Sequence, residues 1–140
     1  MTILRHLAAV VAGYLVFGVS AVALFQLSGR DPHAAAPLGF MIGSTLYGMG
    51  FAALGGYVAA KIAPEGPMLH AGAVMMLIEL GALASLLATL NEPLWSPMAA
   101  LLFMGPSALA GGWIVKKKNA NNSQLPTSNS QSRERVDRSR

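Results

Sequence analysis

The chain has 140 residues, of which 54% are hydrophobic and only 11% are charged, and it contains no cysteine. This length accommodates one compact bundle and excludes a bundle joined to a separate soluble domain. The lack of cysteine excludes disulfides, thiolate metal sites and a cysteine nucleophile.

Charge is separated along the chain. Residues 1–115 carry three basic and four acidic side chains, a net of −1, whereas residues 116–140 carry seven basic and two acidic ones, a net of +5. No aromatic residue is interleaved with these basic residues, so we expect no nucleic-acid partner. The expected partners of Lys116, Lys117 and Lys118 are anionic lipid headgroups, which attract each nearby basic residue by about 1 kcal/mol.

Four apolar stretches dominate the chain, over residues 7–27, 38–60, 68–90 and 94–115. Each is close to the roughly 20 residues that a helix needs to cross a bilayer core of about 30 Å. A soluble domain would interrupt such runs with a polar face every turn or two. The sequence therefore predicts an all-α integral membrane bundle of four transmembrane helices within residues 1–118, with the lipid bilayer as its surroundings.

The first stretch also has the layout of a signal peptide. Arg5 precedes the apolar run, and Ala21-Val22-Ala23 matches a cleavage site. However, the run continues to Leu27, which is longer than the usual apolar region of about 7–15 residues. We therefore favour a retained helix, with cleavage after Ala23 as the alternative.

The positions of basic residues predict the orientation. They lie before the first stretch (Arg5), after the second (Lys61) and after the fourth (Lys116 to Lys118). Because cytoplasmic segments carry the excess of Lys and Arg, both termini and the middle loop are expected in the cytoplasm of a bacterial cell, with the helices in the inner membrane. Residues 119–140 are rich in Asn, Ser, Gln and Thr and are predicted to form a disordered cytoplasmic tail.

Glu79 is the only ionisable residue deep within any of the four stretches. An ionised carboxylate at that depth costs roughly 2.5–3.5 kcal/mol on insertion scales, so we expect Glu79 to face the bundle interior as a neutral acid.

The predicted partners of Glu79 come from the second and fourth stretches. Pro106 removes a backbone donor and would leave the carbonyl of Leu102 unpaired. Together they form a candidate intramembrane polar site, made of Glu79, Pro106, Ser107, Thr45 and Tyr47. This site is either a proton or cation site at a broken helix, or an interhelical hydrogen bond worth about 0.6–2 kcal/mol that fixes packing.

Small residues recur at helical spacing in the second and fourth stretches. They allow helices to approach closely, either between copies of the chain or inside one bundle. The predicted helix-packing residues are Gly39, Gly43, Gly48, Ala52, Gly56, Gly111 and Gly112.

The three histidines are not expected to cluster, because His6 and His70 lie near the inner surface and His33 in an outer loop. We therefore predict no metal site and no cofactor. No Ser-His-Asp arrangement, phosphate loop or carboxylate pair is present, so the sequence predicts a non-enzymatic protein.

A weak internal repeat relates the two halves. Gly55-Gly56-Tyr57-Val58 recurs as Gly111-Gly112-Trp113-Ile114, and His6 and His70 occupy similar positions at the start of the first and third stretches. This repeat indicates either two helical hairpins in the same orientation or two membrane-surface ends built from the same parts.

The run from Gly55 to Ala63 (GGYVAAKIA), followed by a short Pro/Gly loop and His70, resembles small four-helix bacterial inner-membrane proteins that are generally described as hypothetical. This resemblance covers the second and third stretches, implies a four-span inner-membrane protein and supplies no catalytic residues. The small multidrug-resistance exporters are similar in architecture only, because their membrane-embedded Glu lies in the first helix.

Three functions remain open at this point. The leading hypothesis is a non-enzymatic membrane protein that packs with itself, as a homo-oligomer, or with a larger membrane partner. The alternative is a small proton-coupled transporter subunit that uses Glu79. A weaker alternative is a holin-like pore former, indicated only by small size and a charged tail.

Overall fold

The computed structural model describes residues 2–123, which form an all-α bundle without β-strands in that range. Four helices are long and apolar enough to cross a membrane. The all-α prediction is thus confirmed for the described residues. The elements are α1 (Thr2–Ser28), α2 (Leu38–Ile62), α3 (Pro67–Ala88) and a fourth helix in three parts, which are α4 (Trp95–Ala99), a π-helical segment (Ala100–Met104) and α5 (Gly105–Ser123).

The C-terminal end of the bundle differs from the prediction. α5 continues to Ser123, so residues 119–123, which we expected to be disordered, are helical. A helix that is already formed by a packed segment extends at little cost, because each added residue gains one backbone hydrogen bond without a new nucleus. The Ser123 hydroxyl also donates to the Asn119 carbonyl at 2.9 Å. The remainder of the predicted tail, residues 124–140, lies outside the described residues.

The loop before α3 is set by two residues. Gly66 precedes the helix with φ of +64°, a left-handed conformation that glycine adopts without steric cost. Pro67 then begins the helix, where its missing N–H would have had no partner in any case. This turn places the start of α3 at the same end of the bundle as the start of α1.

Two central helices hold the bundle together. α2 and α3 contact each other, and each of them contacts both α1 and α5. Within the described part of the chain, α1 and α5 lie on opposite sides and do not contact each other. A change in α2 or α3 therefore alters contacts with every other long helix of the bundle.

The interior is built from small side chains, and the exterior from large apolar ones. The largest fully buried side chain is that of Val74. Fully buried alanines occupy much of the remaining core, namely Ala9, Ala52, Ala59, Ala71 and Ala108. In contrast, large apolar side chains line the outside of every long helix; on α1 they include Leu4, Leu7, Val11, Leu15, Val19 and Val22.

Glycines allow the helix backbones to touch. A Cβ atom at Gly56 would collide with the Ala108 carbonyl, and one at Gly111 would collide with the Ala53 carbonyl. Of the predicted packing residues, Gly48, Ala52, Gly56, Gly111 and Gly112 lie between helices of this one bundle. Gly39 and Gly43 are exposed and have open space where a side chain would extend.

We expect Gly56→Ala to destabilise the bundle by about 1–3 kcal/mol, since the added methyl group forces α2 away from α5. Gly43→Ala, on the same helix but facing open space, is the matched control and should be neutral or slightly stabilising because alanine favours helix. The free energy of unfolding in detergent, measured by titration with a denaturing detergent, checks both variants. Equal effects would contradict this packing arrangement.

Candidate functional site

The fourth helix is interrupted at its middle by the π-helical segment. In a regular α-helix the ring of Pro106 would clash with the carbonyl of Leu102, and Pro106 has no N–H to offer it. The structure accommodates this by widening the preceding turn, so that the Gly105 N–H donates to the Ala100 carbonyl five residues earlier. The carbonyls of Leu101 and Leu102 thereby both lose their regular α-helical donors. Single π turns of this kind occur frequently at functional sites.

The π segment is fixed by contacts to both central helices. The buried Met104 fills the space beside Gly48 of α2, where a Cβ atom would lie 2.6 Å from the Met104 sulfur. Gly105 faces Glu79 of α3, and a Cβ atom there would lie 2.8 Å from Glu79 Cγ and 3.0 Å from Oε1. A side chain at position 105 would therefore require the Glu79 side chain to move; as it stands, the Glu79 carboxyl group lies beside the junction of the π segment and α5.

Glu79 is half-buried and makes no hydrogen bond or ion pair with any other residue among residues 2–123. On α3 its exposed side is flanked by Met76 and Leu83, which are 54% and 43% exposed. Pro106, next to Gly105, is also exposed. We call Met76, Glu79, Leu83 and Pro106 the Glu79 face. It is an apolar surface with one carboxyl group in it.

The other predicted site residues do not contact the carboxyl group. Their hydroxyls all donate to backbone carbonyls instead: Ser107 to Phe103 at 2.6 Å, Thr45 to Met41 at 2.7 Å, and Tyr47 to Ser20 at 3.3 Å. Of the predicted set, the structure therefore brings together Glu79 and the helix break caused by Pro106. It directs Ser107, Thr45 and Tyr47 elsewhere.

The prediction that the histidines do not cluster is wrong for two of them. His6 Nδ1 and His70 Nε2 are 2.8 Å apart, and His70 Nδ1 is 3.0 Å from the Gly66 carbonyl oxygen. The ring centroids are 4.9 Å apart and the planes differ by only 16°. With such a short N···N distance, this is an edge-to-edge hydrogen bond between nearly coplanar rings.

The Gly66 carbonyl determines the tautomers of this pair. A carbonyl can only accept, so His70 Nδ1 carries a hydrogen. When His70 is neutral, its Nε2 is therefore an acceptor, and His6 must donate to it from Nδ1. The sequence did contain a signal for this contact, since His6 and His70 occupy equivalent positions in the internal repeat.

Aromatic and basic residues meet at both ends of the bundle. At the end that carries the helix starts of α1 and α3, the amino groups of Lys61 and Lys118 each lie 5.9 Å from the centre of the Tyr57 ring, and that of Lys117 lies 5.2 Å from Trp113. At the opposite end, the rings of Phe25, Phe40 and Trp95 form a cluster. Amphipathic aromatic rings at both ends of apolar helices are typical of membrane–water interfaces.

Comparisons with protein-family models, with curated proteins and with solved structures find no match to this chain. Within the part of the chain that the structure describes, no group of three or more potential metal ligands occurs. The interpretation of both polar sites therefore depends on their geometry.

Proposed function

We propose that the chain is an integral membrane protein of the bacterial inner membrane, with four crossing helices and both termini in the cytoplasm. The observation that carries this proposal is the distribution of side-chain size, with mostly alanine and glycine inside and many leucine, isoleucine and valine side chains exposed outside. Soluble monomers rarely expose contiguous apolar patches beyond a few hundred Å². The lysines beside Tyr57 and Trp113 favour the cytoplasmic placement of that end.

Within the membrane, the proposed role is non-enzymatic and consists of lateral packing with a second copy or with a larger membrane partner. Glu79 supports this proposal, since it is only half-buried, lies amid apolar side chains and has no partner in residues 2–123. In hydrocarbon, an unsatisfied polar group costs several kcal/mol. The hydroxyls of Thr45 and Ser107 donate to backbone carbonyls and not to the carboxyl group. A partner helix that covers the Glu79 face and exchanges a hydrogen bond with the carboxyl group removes this cost.

A second candidate, a proton-coupled transporter subunit, is favoured by the helix break beside Glu79. The carbonyls of Leu101 and Leu102 have lost their regular donors next to a carboxyl group. Interrupted helices with freed carbonyls form ion sites near the midplane of many transporters. In this role Glu79 would take up and release a proton, whereas in the packing role it would keep one protonation state.

Reporter fusions test the membrane placement. Fusions at Glu65 and after Lys118 should give a cytoplasmic signal, and fusions at Ser28 and Asn91 a periplasmic one, because of the positions of the basic residues. A periplasmic signal from Glu65 would overturn the orientation. A mature N-terminus after Ala23, detected by mass spectrometry, would overturn the four-helix arrangement.

Site-specific photocrosslinking tests the packing role. A photoreactive residue at Leu83, on the Glu79 face, should form adducts in the membrane, whereas one at Leu15, which is exposed on α1, should not. Glu79→Leu should reduce the adduct about fivefold, since a lost interhelical hydrogen bond costs about 1 kcal/mol. Glu79→Gln should retain it because the amide still donates. The mass of the adduct distinguishes a second copy from a larger partner, and equal crosslinking from both positions would contradict the proposal.

The same Gln variant separates the two candidate functions. If Glu79 couples proton movement, Glu79→Gln should abolish pH-driven uptake in proteoliposomes while crosslinking from Leu83 is unchanged, because Gln cannot release a proton. The wild-type carboxyl group should then also react with a water-soluble carbodiimide. If Glu79 only packs, the Gln variant should behave as the wild type, and the assembled protein should resist the reagent.

A further inference from the structure

The hydrogen-bonded pair of His6 and His70 has no part in the proposed function and lies where α1 and α3 begin. His70 is only 4% exposed and lies in the first turn of α3, whereas His6 on α1 is half-buried. Both ring nitrogens of His70 have partners, which are His6 and the Gly66 carbonyl. The remaining nitrogen, His6 Nε2, has no hydrogen-bond partner among residues 2–123.

The charged residues at this end of the bundle lie on α1, α2, α5 and the loop before α3. They are Arg5 on α1, Lys61 at the end of α2, Glu65 in the loop before α3, and Lys116, Lys117 and Lys118 on α5. All of these residues are exposed, and none forms an ion pair with either histidine. The pair is therefore not neutralised by a neighbouring carboxylate.

We propose that His6 and His70 form a proton-binding site. In this site the two imidazoles share one added proton, and the hydrogen bond between them joins α1 to α3. A proton from solvent enters at His6 Nε2, and no covalent bond to carbon or nitrogen is broken. The His6 imidazolium continues to donate from Nδ1 to the neutral Nε2 of His70, now as a charge-assisted hydrogen bond, which is the stronger kind. Imidazole is the side chain that gains or loses a proton near neutral pH.

A second proton has a different effect. Its acceptor is His70 Nε2, because Nδ1 already donates to Gly66. Two N–H groups would then face each other across the 2.8 Å that now separate the nitrogens, so the hydrogen bond is lost. The contact between the starts of α1 and α3 is thus closed with no added proton or with one, and open with two.

Nitrogen NMR of the ¹⁵N-histidine-labelled full chain in nanodiscs tests the pair directly. We expect a coupling across the hydrogen bond between His6 Nδ1 and His70 Nε2 at pH 8 and at pH 6, and a hydrogen on His70 Nδ1 at both. We also expect the pair to take up one proton without loss of this coupling. Two histidines that titrate independently, with no such coupling, would overturn the proposal.

A distance measurement tests the consequence for the helices. Because the chain has no cysteine, spin labels at Arg5→Cys and Leu69→Cys, both at exposed positions, report on α1 and α3 without background. The distance should be unchanged between pH 8 and pH 6 and should lengthen near pH 4. His33→Asn, which alters the histidine outside the pair, should behave as the wild type.

Two variants of His6 make this test specific. His6→Asn should keep the short distance at every pH, because an amide can either donate to or accept from His70 Nε2. His6→Phe should give the long distance at every pH. A wild-type distance that does not change at pH 4, or a His6→Asn variant that opens as the wild type does, would overturn the proposal. Neither result bears on the Glu79 face, so the two proposals fail separately.

Discussion

The close contact between the backbones of α2 and α5 determines where everything else in this bundle lies. At Gly56 and Gly111 each helix presents no side chain, so the carbonyls of Ala108 and Ala53 occupy the space that a Cβ atom would need. In the membrane that we propose as its surroundings, the hydrophobic effect supplies little attraction between apolar helices, and association depends on dispersion and polar contacts at short range. Small residues make such contacts possible, and a single added methyl group removes them.

This contact also creates the candidate site. With α5 held against α2, the turn that precedes Pro106 is confined between Gly48 of α2 and Glu79 of α3. A regular α-helix cannot pass Pro106 without a clash, and the segment resolves this as a π turn rather than by bending away. Glu79 is thereby brought to a stretch of backbone whose carbonyls lack regular donors. The Glu79 carboxyl group has no hydrogen-bond partner among residues 2–123, so the bundle leaves its hydrogen bonding open.

Sequence reasoning predicted the features that depend on one helix at a time. Hydropathy and length indicated four helices. The distribution of charged residues identified Glu79 as the one ionisable residue deep within an apolar stretch. The missing donor at Pro106 indicated a helix break, although not that it would take the form of a π turn. Features that depend on how one helix is rotated relative to another could not be predicted from the sequence. Gly43 and Gly56 look alike in the sequence, yet Gly43 faces open space and Gly56 faces α5.

The histidine pair was missed for the same reason. A contact between residues 64 positions apart requires that the starts of α1 and α3 lie side by side, which hydropathy does not reveal. The internal repeat did carry this information. Two hairpins in the same orientation place His6 and His70 at one end, and an interaction between them follows if α1 and α3 are neighbours. Repeated residues that lie at the same depth are therefore worth testing as partners.

Each half of the chain has two consecutive glycines, and these have different contacts. Neighbouring residues on a helix point about 100° apart, so a Gly-Gly pair opens two adjacent faces. Gly55 contacts Gly13 within the first hairpin, and Gly56 contacts α5 in the second.

In the second half the order is reversed. Gly112 contacts Ala71 within its own hairpin, and Gly111 contacts α2 in the first. Each pair thus closes its own hairpin and joins it to the other. By the spacing of the two histidines, the counterpart of Glu79 in the first hairpin is Leu15. The two halves therefore share the residues that hold the bundle together and differ at the carboxyl group.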